Sequence, residues 1–163
     1  MELVAAGKRS LWAGFPPTVI LVLLLAAPFA FGQSGQSVLG LKVGMSLDEA
    51  RSVLEKLGGE GGGVDTRGGG RREAYSFKTG AFMSVAFRTK GKTVSWVSGF
   101  LREGHEIPFE SLGDLSKAVA KSDSEAIWNL SLEGDMPVRL VAKGGGGKAR
   151  VIYLLSLETK PPS

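Results

Sequence analysis

Leu47, Ala50, Val53, Leu54 and Leu57 recur three and four residues apart, a spacing that gathers them on one side of a helix. Just ahead of them, Ser46-Leu47-Asp48-Glu49 has the form of a capping box. In it the serine hydroxyl accepts from the glutamate N–H while the carboxylate reaches back to the serine N–H. Met45 and Ala50 hold the hydrophobic-staple positions, Asp48 and Glu49 suit the positive end of the helix dipole, and Lys56 suits the negative end. Gly58-Gly59 follows as a stop. The pattern predicts a helix over 46–57.

Residues 58–72 are dominated by glycine with interspersed charges. Such a run has little apolar surface to bury and a high entropic cost of ordering, so it reads as a mobile loop. Period-two alternation then takes over. Tyr75 and Phe77, then Met83, Val85 and Phe87, then Val94 and Trp96 alternate with smaller or polar neighbours, and Lys90-Gly91 offers a tight turn. The segment from Ala74 to Leu101 therefore predicts a three-stranded antiparallel meander.

Phe109, Leu112, Leu115 and Val119 return to helical spacing, which predicts a second helix starting at Pro108 or at Ser111. Trp128, Leu130 and Leu132 alternate again. Val138–Lys143 and Lys148–Leu157 flank Gly144-Gly145-Gly146-Gly147, read as a floppy hairpin loop. The resulting order of helix, three strands, helix, three strands predicts an α+β class: a mostly antiparallel sheet with two helices packed on one face. The openings of the two helices, about 65 residues apart, leave two readings open: a duplicated helix-plus-three-strand unit, or an accidental echo.

The N-terminal pattern is different in kind. After Lys8 and Arg9 no charge occurs until Lys42, and an apolar stretch from Val19 runs through Ala27 to Phe31 before small and polar residues resume. A basic start, a short apolar core and small residues at Ala30 and Gly32 make an export signal cleaved ahead of Gln33. The alternative is an uncleaved N-terminal membrane anchor, since a span needs about 20 apolar residues. The chain thus divides into a signal over 1–32, a linker over 33–45, a single domain over 46–158 and a tail over 159–163, and its locale is exported, periplasmic or secreted.

Without the first 32 residues, 131 of the 163 remain, enough for one core. Removing Lys8, Arg9 and Glu2 from 20 basic and 16 acidic residues leaves 18 and 15, a net +3 spread without blocks. That is no nucleic-acid footprint. The chain has no cysteine, which excludes thiol catalysis, thiolate metal sites and lipidation at an N-terminal cysteine.

Catalytic constellations are missing from the pattern. His105 is the single histidine, so no multi-histidine metal site can form, and Glu106 is not followed by the second histidine of a metalloprotease helix. Ser46 is explained as a cap, not a nucleophile. Gly144-Gly145-Gly146-Gly147-Lys148 resembles a phosphate loop only superficially, because alanine follows the lysine and a strand pattern follows that. We read no catalytic, cofactor or metal residues. Aromatic residues on strands are the stronger signal: Tyr75, Phe77, Phe82, Phe87, Trp96, Phe100, Trp128 and Tyr153. Those on a sheet face left uncovered would make a binding surface, with Trp96, Phe100 and Trp128 as the partner-binding candidates.

Leu41-Lys42-Val43-Gly44-Met45-Ser46-Leu47-Asp48-Glu49-Ala50-Arg51, running to Leu57-Gly58, resembles the opening signature of small outer-membrane lipoproteins of the SmpA/OmlA (BamE) type. The wider group includes domains similar to β-lactamase inhibitor protein. The resemblance implies a non-enzymatic envelope module acting through protein–protein contact, on about 18 of the residues. The chain departs from the family in lacking the lipidated cysteine after the signal. The leading expectation is a non-catalytic exported interaction module with an envelope protein partner, no nucleic acid, and membrane contact only through an uncleaved N-terminal segment. A small-ligand or cell-wall binding module comes second, and an enzyme of unrecognised type third.

Overall fold

Ser46 starts the first element as its position demands. Its hydroxyl accepts from the Glu49 N–H at 3.3 Å, its own N–H donates to Glu49 Oε2 at 3.0 Å, and α1 runs from Leu47 to Lys56. Ser46→Ala removes that oxygen acceptor and is expected to destabilise the protein by about 1 kcal/mol in a urea titration. An unchanged midpoint would show that the cap contributes nothing.

The computed structural model describes residues 36–66, 70–130 and 136–157; the expected export signal over 1–32 and the tail over 159–163 lie outside them. After α1 come β1 (Glu60–Asp65), β2 (Arg71–Ser76), β3 (Phe82–Lys90) and β4 (Thr93–Leu101). Then follow β5 (Ile107–Pro108), α2 (Phe109–Leu112), β6 (Ala120–Lys121), β7 (Glu125–Leu130), β8 (Val138–Gly145) and β9 (Lys148–Ser156). Among the described residues, all nine strands belong to one antiparallel sheet in the order β1-β2-β3-β4-β9-β8-β7-β6, with β5 against the start of β9.

This corrects the expected class. The protein is mostly antiparallel β-sheet rather than α+β, and α1 is the one helix longer than a single turn among the described residues. The second helix stops after Leu112 for a local reason. Gly113 is fully extended (φ −178°), and a Cβ there would lie 3.0 Å from the Trp128 indole. Asp114 Oδ1 then captures the N–H and hydroxyl of Ser116, while its carbonyl accepts from Trp128 Nε1 at 2.9 Å. Side-chain capture of this kind competes with helix continuation. Leu115 still packs against the core, but Val119 is exposed.

The expected helix-plus-three-strand unit is corrected as well. Each half is a four-strand meander, and the two halves repeat one another's pairing. Ala86 faces Ser98 across β3 and β4, and Val141 faces Tyr153 across β8 and β9. Both hairpins slip by one residue at the same step, between Arg88 and Thr89 in one and between Lys143 and Gly144 in the other. The last strands of the two meanders meet through Ser98↔Tyr153, so a local two-fold axis passes through that pair.

Three segments read as loop or linker contain ordered structure. Part of the glycine-rich run forms β1, whose residues are largely exposed at the sheet edge. Val38 and Leu41, placed in the linker, are completely buried and bridge to each other through paired backbone hydrogen bonds. The glycines at 144–147 are not a floppy loop either. Gly144 and Gly145 lie in β8, and Gly146-Gly147 (φ +59° and +72°) form a two-residue turn of the kind that needs left-handed residues.

The core lies on one side of the sheet. Val85, Phe87, Val97, Leu140, Ile152 and Leu154 point to it and are covered by Ala50 and Leu54 of α1, by Val38 and Leu41, and by Phe109 and Leu112. One buried carboxylate ties the cover down. Glu73 in β2 accepts from Arg51 of α1 through two bonds of 3.0 and 2.6 Å and also pairs with Arg71. The Arg51 guanidinium, with Arg71 beside it, holds the Glu73 carboxyl below its ordinary value against the opposing effect of burial.

Candidate functional site

Alternation along each strand sends every second side chain to the face opposite the core, and pairing register lines those side chains up in rows. One row runs Arg72, Arg88, Trp96, Leu155, Arg139 and Asn129, each paired directly with the next across β2, β3, β4, β9, β8 and β7. The next row holds Ala74, Ala86, Ser98, Tyr153, Val141 and Ile127. A third holds Ser76, Ser84, Phe100, Val151, Lys143 and Glu125. Among the described residues, no helix or strand packs over this face.

Its centre is apolar and aromatic. Trp96 and Tyr153 sit diagonally on β4 and β9 with ring centroids 6.1 Å apart, and Trp96, Phe100, Tyr153, Val151 and Leu155 are all only partly buried. The Arg72 guanidinium carbon lies 5.8 Å from the Trp96 ring centroid, a cation–π contact that holds one side of the indole. Beneath them Ser98 is completely buried, and its hydroxyl has no hydrogen-bond partner among the described residues. At the end of the face where the β3–β4 hairpin slips, Arg88, Ser95, Trp96, Leu155 and Ser156 line an open depression of about 420 Å³.

The charges form a rim. Lys143 pairs with Glu125 at 3.0 Å, which holds the lysine above its ordinary value. Asp65 stands beside Arg72 at the β1 edge. Arg139 Nε donates to Asn129 Oδ1 at 2.9 Å, which orients its guanidinium, and Arg88 reaches no carboxylate among the described residues. Two arginines therefore stand on either side of the Trp96–Leu155 pair without an acidic partner of their own among the described residues.

The three partner-binding candidates separate. Trp96 and Phe100 stand on the open face, whereas Trp128 lies on the opposite one, 2% exposed. Its indole is fixed in the core by Asp114. Of the other strand aromatics, Tyr75, Phe77, Phe82 and Phe87 are core residues and Tyr153 joins the open face. Arg102, near several of these in sequence, serves a different end: its guanidinium binds the Phe77 and Gly80 carbonyls and clips the β2–β3 loop. Arg72, Arg88 and Leu155 were missed by sequence reasoning. The alternation of Arg88 with Phe87 and Thr89 was the available signal, but only the register brings Arg88 beside Trp96.

His105 is exposed in the turn after β4. Among the described residues, no three His, Asp or Glu side chains converge as metal ligands, and no helix is long and apolar enough to cross a membrane. No family model matches this chain, and neither a curated protein nor a solved structure matches it significantly.

Proposed function

We propose that this chain is a non-catalytic interaction module of the cell envelope, exported by its N-terminal apolar segment, that docks a protein partner on the open face of its sheet. The observation that carries this reading is the half-buried cluster of Trp96, Phe100, Tyr153 and Leu155 at the centre of that face, ringed by polar and charged side chains. An apolar centre with a polar rim is the anatomy of protein interfaces, and aromatic residues at such a centre carry most of their binding energy. The short resemblance to BamE-type envelope modules at residues 41–58 agrees with it.

The test is capture of a partner from the native envelope fraction with Trp96→Ala and Trp128→Ala set against the unaltered chain. Trp96→Ala should retain the fold and weaken capture at least about tenfold. Trp128→Ala should lose the fold, because its side chain fills the core. A partner retained by Trp96→Ala would move the docking surface elsewhere. The depression beside Trp96 favours a second reading, a small-ligand or cell-wall binding module. Binding of a soluble wall fragment or sugar that Trp96→Ala abolishes, with no protein captured, would select it.

A further inference from the structure

The open face has a row whose chemistry is more specific than an apolar patch. Arg88 and Arg139 lie three strands apart, with the directly paired Trp96 and Leu155 between them. Adjacent strands are spaced about 4.8 Å, so the two arginines start about 14 Å apart. Neither has a carboxylate partner among the described residues, while Lys143 on the same face is paired with Glu125 and Arg72 lies over the Trp96 ring. The depression opens on the Arg88 side of this row, lined by Arg88, Trp96 and Leu155 together with Ser95 and Ser156.

An extended peptide places residues i, i+2 and i+4 on one side, about 7 and about 14 Å apart. That spacing matches an acidic group on Arg88, an apolar side chain between Trp96 and Leu155, and a second acidic group on Arg139. We infer that the occupant of this face is an extended acidic segment of a partner protein, of the pattern acidic–any–apolar–any–acidic, laid across the strands along the Arg88–Trp96–Leu155–Arg139 row. The inference rests on the docking-face reading and adds the partner's chemistry to it. Charge complementarity selects this occupant over a second copy of the chain, whose own Arg88 and Arg139 would be brought against these two. Arginine also suits the task, since its planar fork binds a carboxylate through two bonds.

The probe is a fluorescein-labelled peptide with glutamate, threonine, phenylalanine, threonine and glutamate in succession, titrated with the full-length chain by anisotropy. Its counterpart carries lysine in place of both glutamates. The glutamate peptide should bind at least about tenfold more tightly, and its binding should weaken as salt rises from about 50 to about 300 mM. Arg88→Glu with Arg139→Glu should reverse the preference toward the lysine peptide, a result that simple structural damage cannot produce. Equal binding of both peptides, lost in Trp96→Ala but not in the charge-reversed protein, overturns the acidic pattern and leaves the docking face standing. No binding of either peptide overturns the inference. Binding to vesicles of phosphatidylcholine with about one third phosphatidylglycerol, abolished by Trp96→Ala and not competed by the glutamate peptide, overturns it in favour of a membrane surface.

Discussion

Glu73→Ala is expected to lower the unfolding free energy by about 2–3 kcal/mol, measured by urea titration at neutral pH. The carboxylate is 6% exposed and is shared by Arg51 and Arg71, whose side chains are 30% and 42% exposed. Removing one partner of a buried ion pair costs about 3–5 kcal/mol when the other stays buried. Here both arginines can turn partly toward water, which reduces the loss. What is lost is also the fastening of α1 to β2, because Arg51 is a helix residue.

The same carboxylate gives stability a pH dependence of known sign. Its folded-state value is depressed by Arg51 first and Arg71 after it, so the unfolded chain takes up the proton more readily. The stabilisation is complete above the ordinary carboxylate range and is lost as pH falls below about 4, through the lowered folded-state value. Glu73→Gln should therefore flatten the acid side of the stability profile relative to the unaltered protein. Parallel profiles for the two would show that the Arg51–Glu73–Arg71 cluster is not coupled to folding.

Gly144→Ala is expected to cost about 3 kcal/mol, or to prevent the β8–β9 hairpin from closing. A Cβ on Gly144 would lie 2.0 Å from the Lys148 carbonyl oxygen and 2.9 Å from the Arg150 nitrogen. Both are backbone atoms of the partner strand, held by pairing, so no side chain can swing aside to make room. Gly146→Asn, two residues on in the turn itself, should change stability by less than about 0.5 kcal/mol, because asparagine accepts the left-handed region that the turn needs. Circular dichroism melts of the two variants separate strand packing from turn conformation. Equal losses would mean that the slip in register at Gly144 is not the constraint.

Much of the local structure was legible because it rests on local physics. The capping box fixed the start of α1, and alternation located β2, β3, β4, β7, β8 and β9. The second helix misled because its apolar spacing survives as far as Leu115, while its termination depends on Trp128, distant in sequence and packed on Gly113. The glycine runs misled because composition reports the cost of ordering a chain and not the edge strand that shares it. β1 has β2 to pair with, and Gly144 has Lys148. The open face was half legible. Alternation marks Trp96 and Trp128 alike as strand aromatics, and which side each takes is decided by register across the whole sheet. For the same reason Arg88, Leu155 and Arg139 could not be assembled into one row before the pairing of β4 with β9 was known.

That pairing has a kinetic side. Within each meander every strand pairs with its sequence neighbour, so those contacts close short loops, whereas β4 and β9 are joined across more than fifty residues. Loop-closure entropy delays such a seam relative to the hairpins on either side. Arg88 and Trp96 arrive with the first half of the chain, Leu155 and Arg139 with the second. Until the seam zips, the row is two unrelated fragments, and a ligand that reads the row recognises only the finished molecule. Such a ligand would stabilise the closed seam by mass action, to an extent set by its free concentration relative to its Kd.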